Sequence, residues 1–299
     1  MSKRLTMVVN SCDSYADVWD LFFESVSVQW PHCEYDIVLN TETLTYSYKN
    51  MPITVHNYTR KFGRKDRWGE RFRKTLSNIN TPYVLTFLDD FVLTESVKKP
   101  ELLEQIMDFM DENKEATVVY LDAFPKWCFI LEEDKKLPGF GKMPQVCAYK
   151  LSTAVAVWRR EKLLALIRDF ESPWEWEMNA SFRACRMQCG DFYAVVDAQE
   201  DIPRNIMFSF QHGGAVRRGL WNVDTLQLAK EYGIEIDTNK RGIMDSENPY
   251  NEVRTETYSV KANIRKDFFR VVFWKKVFLH GKIKWKSLVE KWRFVRSVW

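Results

Sequence analysis

"NTPYVLTFLDDFVLTE", residues 80–95, holds an apolar run from Tyr83 to Leu88 that ends in two adjacent carboxylates, Asp89 and Asp90. Six residues rich in aromatic and aliphatic side chains and closed by polar ones predict a strand. Its near-continuous hydrophobicity predicts burial on both faces. Similar runs recur at 5–9 (LTMVV), 35–39 (YDIVL), 53–57 (ITVHN), 116–121 (ATVVYL), 153–158 (TAVAVW) and 192–196 (FYAVV). Between them, 16–30, 67–79, 100–113, 160–170 and 173–188 read as helices. This alternation predicts an α/β, Rossmann-like architecture with a mostly parallel central sheet covered on both faces. Ligands of such sheets gather at the carboxyl ends of the strands. Asn10, Ser11 and Asp13 end the first strand and Asp89 and Asp90 the central one, so these groups are expected to share a crevice. Two acids at the mouth of a buried strand are unfavourable unless something positive meets them, and a divalent cation bridging to a diphosphate would meet them.

Composition narrows the function classes. The chain has 299 residues, 45% hydrophobic, which is enough for one large core or two smaller ones and excludes a disordered segment. No apolar run approaches the roughly 20 residues of a membrane span, and the N-terminal apolar stretch is broken by Asn10, Ser11 and Asp13, unlike a secretory signal. A cytoplasmic protein is expected. Six cysteines without a C-x-x-C pair and four histidines argue against a zinc site, and the thiols are expected to be free. Trp174, Met178, Phe182, Cys185 and Cys189 recur at helical spacing and predict one core-facing stripe, with Trp174 at its head. Neither G-x-G-x-x-G nor G-x-x-x-x-G-K-[ST] occurs, which removes most support for dinucleotide redox chemistry and P-loop phosphoryl transfer.

Charge divides the chain at about residue 260. Residues 261–299 carry twelve Lys or Arg against two acids, so with +3 for the whole chain residues 1–260 are net −7. In this tail Phe, Trp, Val and Leu alternate with the cations at helical intervals, and Gly281 separates two amphipathic helices. Such a segment suits an anionic membrane surface, or else packs on the body with its basic face solvated. Nucleic acid is disfavoured as a partner because no recognised binding motif accompanies the patch. The expected organisation is an α/β domain over 1–260 and a basic, aromatic, helical tail over 261–299.

An ordered set of pieces then resembles the bacterial GT-A-fold glycosyltransferases, particularly the inverting family-2-like enzymes of capsule, O-antigen and other surface polysaccharide synthesis. The pieces are "VVNSCD" (8–13), "WGERFRKTLSNI" (68–79), "TPYVLTF" leading into "LDDF" (81–91), "TAVAVWRREKL" (153–163), "ESPWEWE" (171–177) and "GGAVRRGLW" (213–221). The resemblance implies a nucleotide-diphosphate sugar as donor and a saccharide or polyprenyl-diphosphate-linked hydroxyl as acceptor. Asp89 and Asp90 then correspond to a D-x-D element, one carboxylate meeting the sugar nucleotide and the other ligating Mg2+ or Mn2+. Phe91 stands where a third acid might, so a metal-independent enzyme stays open, as does a strand-end Asx turn.

Further roles follow from the same resemblance. Asn10, Ser11 and Asp13 lie where the family holds base and ribose, with loop capping as the alternative. Trp68 and Arg71 share a helix face and are expected to reach the nucleotide, with Lys74 beside them. The acceptor-side motif supplies the general base, Glu175 first and Glu177 second. Ser172, Pro173 and Glu175 also read as a capping box, which is a structural use of Glu175. Arg217 and Arg218 sit in a glycine-flanked loop expected to close on the leaving diphosphate, and His212 where a histidine sometimes helps hold the metal. The implied protein is a cytoplasmic enzyme peripheral at the inner face of the membrane. A sugar nucleotidyltransferase and a non-catalytic membrane or nucleic-acid adaptor are the alternatives.

Overall fold

The computed structural model describes residues 3–58, 68–125, 128–196, 205–211 and 213–244. From the N-terminus the chain forms β1 (Leu5–Asn10), α1 (Ala16–Gln29), β2 (Asp36–Thr41), β3 (Ile53–Asn57), α2 (Trp68–Ser77) and β4 (Tyr83–Leu88). It continues through α3 (Leu102–Glu112), β5 (Ala116–Ala123), β6 (Glu133–Asp134), β7 (Leu137–Lys142), β8 (Ala156–Arg159), α4 (Arg160–Leu166), α5 (Pro173–Arg186) and β9 (Asp191–Val195). A hairpin of β10 (Val216–Arg217) and β11 (Leu220–Trp221) is followed by α6 (Val223–Glu231) and α7 (Thr238–Arg241).

The nine-stranded sheet has the order β3-β2-β1-β4-β8-β5-β9-β7-β6. The expected α/β architecture is present: β1 to β5 and β9 run in one direction. β8 is inserted antiparallel between β4 and β5, and β7 pairs antiparallel with β9. All four residues of β8 are buried, so its composition carries no sign of its direction. Register sets the functional edge. Asn10 stands beside Asn40 and Leu88, while Thr86, Ala156 and Tyr120 align across three strands, so Asn10, Asn40, Asp89 and Asp122 emerge at one edge.

Alternating strand residues feed two cores. Met7, Val9, Leu85, Phe87 and Val157 meet α1 and α3 through Phe22, Phe23, Leu103 and Ile106. Val8, Val84, Ala156 and Trp158 meet α2, α4 and α5 through Phe72, Leu76, Leu163 and Trp176. The α5 stripe departs from expectation. Trp174 is 64% exposed and Met178 49%, whereas Trp176, Ala180 and Ala184 face the sheet. The series at 174 and at 176 share the i, i+4 spacing, and the alanines let the helix approach Trp158 and Phe192 closely, so the bulkier stripe points outward. Cys185 and Cys189 are half-buried and, like the other four cysteines, free.

Gly69 lets α2 dock. Its N–H donates to Glu171 O at 3.0 Å, and a Cβ there would lie 2.1 Å from Arg168 O. That obstacle is backbone and cannot rotate away. Gly69→Ala is expected to lower unfolding free energy by about 1–3 kcal/mol in denaturant melts; a loss below about 0.5 kcal/mol would show that the 168–171 turn yields freely.

Candidate functional site

Asp89 and Asp90 stand at the shared strand edge in unlike settings. Asp89 is buried and accepts a short hydrogen bond from Ser11 Oγ, which in turn accepts from Trp19 Nε1 at 2.7 Å. Burial pushes the Asp89 carboxyl up to about 7, against the opposing pull of Ser11, Trp19 and Arg241. Asp90 keeps some surface, but its Oδ1 is enclosed and has no hydrogen-bond partner among the described residues. Burial first and the neighbouring Asp89 second hold its carboxyl well above the usual range. Gly214 (φ +79°) presses on this group: a Cβ would lie 2.5 Å from Asp90 Oδ2, and Ala215 N donates to Asp90 O at 2.7 Å. Phe91, in place of a third acid, lies flat on Phe210 with centroids 4.6 Å apart.

The floor is built from the ends of β1 and β2. Asn40 Nδ2 donates to Asn10 Oδ1 at 2.8 Å, and Ser11 N to Asn40 O at 2.9 Å. Arg71 is buried, with Nη2 on Ser11 O at 3.1 Å and Nη1 2.9 Å from Glu42 Oε1, so from α2 it holds the end of β1 and the segment after β2. Trp68 does not join it. Its ring packs on Phe72 and Trp176 in the core, because residues 68 and 72 both face the sheet. Lys74 lies outside, paired with Glu70 at 3.2 Å. Asp13 takes the capping role: its carboxylate accepts from Thr41 Oγ1, Glu42 N, Thr43 N, Thr43 Oγ1 and Leu44 N. Burial opposes ionisation there, but the Thr43 and Thr41 bonds outweigh it and lower the pKa.

The two glutamates differ in their partners. Glu175 closes a capping box, its Oε2 accepting from Ser172 N and Oγ at 3.1 Å while Ser172 Oγ accepts from Glu175 N. Glu177 is buried, and its Oε1 accepts from Thr153 N at 2.6 Å, Thr153 Oγ1 at 2.9 Å and Ser152 Oγ at 3.1 Å. Thr153 precedes Ala156 by three residues, as Thr86 precedes Asp89, and Ala156 pairs with Thr86. Glu177 is thereby tied to the edge from which the acid pair emerges. Burial raises its pKa, more than the Thr153 and Ser152 bonds lower it.

The glycine-flanked segment is a hairpin rather than an open loop. Arg218 (φ 53°) and Gly219 (φ 82°) form a two-residue turn with both φ positive, pairing Arg217 with Leu220 and Val216 with Trp221. Arg217 is half-buried beside Gly213, and Arg218 is exposed at the turn. His212 and the 261–299 tail lie outside the described residues. Among the described residues no cluster of three or more His, Cys, Asp or Glu is arranged to hold a metal, and no helix is long and apolar enough to cross a membrane.

Several residues of this edge were not singled out by sequence. Arg241 stacks over Tyr15 at 4.2 Å, and its charge opposes the upward shifts of Asp89 and Asp90. Asp122, at the end of β5, accepts from Val155 N at 3.0 Å and is pushed up to about 7 by burial. The polar end of β2, "LNTET", was the readable signal for Asn40. Arg241, in a short segment far along the chain, had none.

No known protein family and no curated protein matches this chain. Solved structures do. S. aureus TarS is 12% identical, the match covering 88% of this chain and 46% of TarS with a TM-score of 0.46. TarS 1-349 in complex with UDP-GlcNAc is 13% identical, covering 77% of this chain and 65% of that one with a TM-score of 0.40. The bifunctional IspDF from Campylobacter jejuni is 13% identical, covering 69% and 52% with a TM-score of 0.37. The chain thus spans about half the length of TarS and of IspDF. Likeness at this level is one of α/β architecture and carries neither activity nor ligand to this chain.

Proposed function

We propose that the chain is a glycosyltransferase that moves a sugar from a nucleotide-diphosphate donor to an acceptor hydroxyl with inversion. The observation that carries this reading is the acid pair: two adjacent carboxylates at a parallel-sheet edge, both with raised proton affinity, one oxygen enclosed without a partner. Such a pair is stable when charged only beside a cation, free or carried by a polyphosphate. Asn10, Ser11 and Arg71 shape the nucleotide side, Arg71 from its fixed place against Ser11 O.

Glu177, ahead of Glu175, is assigned as the base. Thr153 and Ser152 occupy its Oε1 and aim the carboxylate, whereas Glu175 turns back onto its own helix end. The base takes the acceptor hydroxyl's proton as that oxygen attacks the anomeric carbon, and the bond to the diphosphate breaks on the opposite face. Arg217 and Arg218 neutralise charge on the leaving diphosphate from the hairpin. The two carboxylates suit a hard divalent cation: Asp90 and Asp89 would hold Mg2+ or Mn2+, and the ion would supply charge neutralisation. The tail at 261–299 brings the enzyme to an anionic membrane face on its cytoplasmic side, where a polyprenyl-diphosphate-linked or surface-polysaccharide acceptor is presented.

The test is calorimetry and thermal shift of the full chain against UDP-, GDP-, CMP- and dTDP-linked sugars, with and without Mn2+. One nucleotide class is expected to bind, more tightly with Mn2+. Binding indifferent to metal would leave Arg217 and Arg218 as the neutralising charges, and no binding at all would overturn the transferase reading.

A further inference from the structure

Arg241 is held as few surface arginines are. Nε and Nη2 donate to the two carboxylate oxygens of Asp17, both at 2.7 Å, and Nη2 donates again to Ser14 O at 2.6 Å. One face of the guanidinium covers the Tyr15 ring at 4.2 Å, with the Trp221 ring 5.8 Å away, and the side chain is 7% exposed. A guanidinium has five N–H donors. Three are taken by Asp17 and Ser14; the two on Nη1 have no partner among the described residues. Asp17 also meets Lys240 Nζ at 3.0 Å, so one carboxylate faces two cations and a positive charge is left over. That local excess stands out in a described body whose sequence is net acidic.

Its position closes a ring around the acid pair. Ser11 bonds Asp89; Ala215 N reaches Asp90 O; Val216 pairs with Trp221; Trp221 N donates to Gly242 O; and Arg241 returns to Ser14, three residues past Ser11. Asp89 and Asp90 stand at one end of this series of contacts, and Tyr15, Trp221 and Arg241 lie together at the other. Tyr15 itself registers the pair, since burial and then Asp90 and Asp89 raise its hydroxyl pKa.

We propose that Arg241, locked by Asp17 and Ser14 and stacked on Tyr15, is an anion-binding residue of this site and takes a phosphate of a nucleoside diphosphate through its Nη1 edge. The inference rests on the donor reading above. It assigns the diphosphate to a fixed cation within electrostatic reach of Asp89 and Asp90, independently of the hairpin arginines. Nη1 is preorganised, so no side-chain ordering is required when the phosphate arrives.

The experiment is calorimetry of the full chain with UDP, GDP and dTDP, each against its monophosphate, for wild type, Arg241→Met and Arg241→Lys. Wild type is expected to favour one diphosphate. Arg241→Met is expected to weaken that diphosphate about 10- to 100-fold and leave the monophosphate within about threefold. Arg241→Lys, which keeps a charge and loses the fork, is expected to fall between them and covers the case in which the Met variant does not fold. Equal diphosphate affinity in the folded variants, or equal loss of both nucleotides, would overturn the assignment to Arg241 alone. A wild-type chain that binds none of the six overturns the donor reading with it.

Discussion

Glu177→Gln is expected to lower the sugar-transfer rate by about two to four orders of magnitude, with donor affinity and the melting temperature retained. Glutamine keeps a carbonyl oxygen for the bonds from Thr153 N, Thr153 Oγ1 and Ser152 Oγ, so the 152–153 turn and α5 stay joined while the proton acceptor is lost. The pH profile makes the test sharper. A base works ionised, and burial raises the Glu177 pKa above the ordinary glutamate value, so the wild-type rate falls as pH drops through that raised value. Stability runs the opposite way: a carboxyl whose folded pKa is raised contributes most when protonated, and that contribution is lost as pH rises through the folded pKa. The variant loses both dependences. A rate within threefold of wild type would remove Glu177 from the chemistry and return the role to Glu175.

Asp90→Asn is the second large effect. The substitution keeps the shape packed against Gly214 and removes the charge, and turnover is expected to fall by about two to three orders of magnitude. The melting temperature at pH 7 should be at least as high as in wild type, because burial and Asp89 raise the folded pKa of Asp90 and an ionised carboxylate there opposes folding at neutral pH. Any sensitivity of donor affinity to Mn2+ should fall at the same time. Near-normal turnover would exclude the pair from catalysis, and a lowered melting temperature would show that Asp90 is a structural strand-end group.

Strand positions and the sheet's carboxyl edge were legible because buried parallel strands are runs of apolar residues that end in polar ones, as "VVN" and "YVLTFLDD" do. The capping box at Ser172 was legible for a similar reason: N-cap chemistry is local. Trp68 misled because a tryptophan at a helix start carries no mark of which side it packs on. The α5 stripe misled because two interleaved stripes satisfy one spacing, and only contact with Trp158 and Phe192 chooses between them. Direction in β8 was equally silent, since a strand buried on both faces has the same composition whichever way it runs.

By itself, then, the sequence determined the strands and helices of the α/β body up to β9, apart from the β6–β7 hairpin, and that the polar ends of β1 and β4 meet at one edge with two acids in need of positive charge. These depend on periodicity and on neighbours a few residues apart. Tertiary structure alone decided that Glu177 is held by the 152–153 turn while Glu175 caps its own helix, that Asp13 is taken up by the 41–44 loop, and that Arg241 comes within electrostatic reach of the acid pair from the far end of the described chain. Those outcomes depend on hydrogen bonds and charges between residues 24 to more than 200 positions apart, and Coulomb and packing interactions act through distance in space, which separation along the chain does not encode.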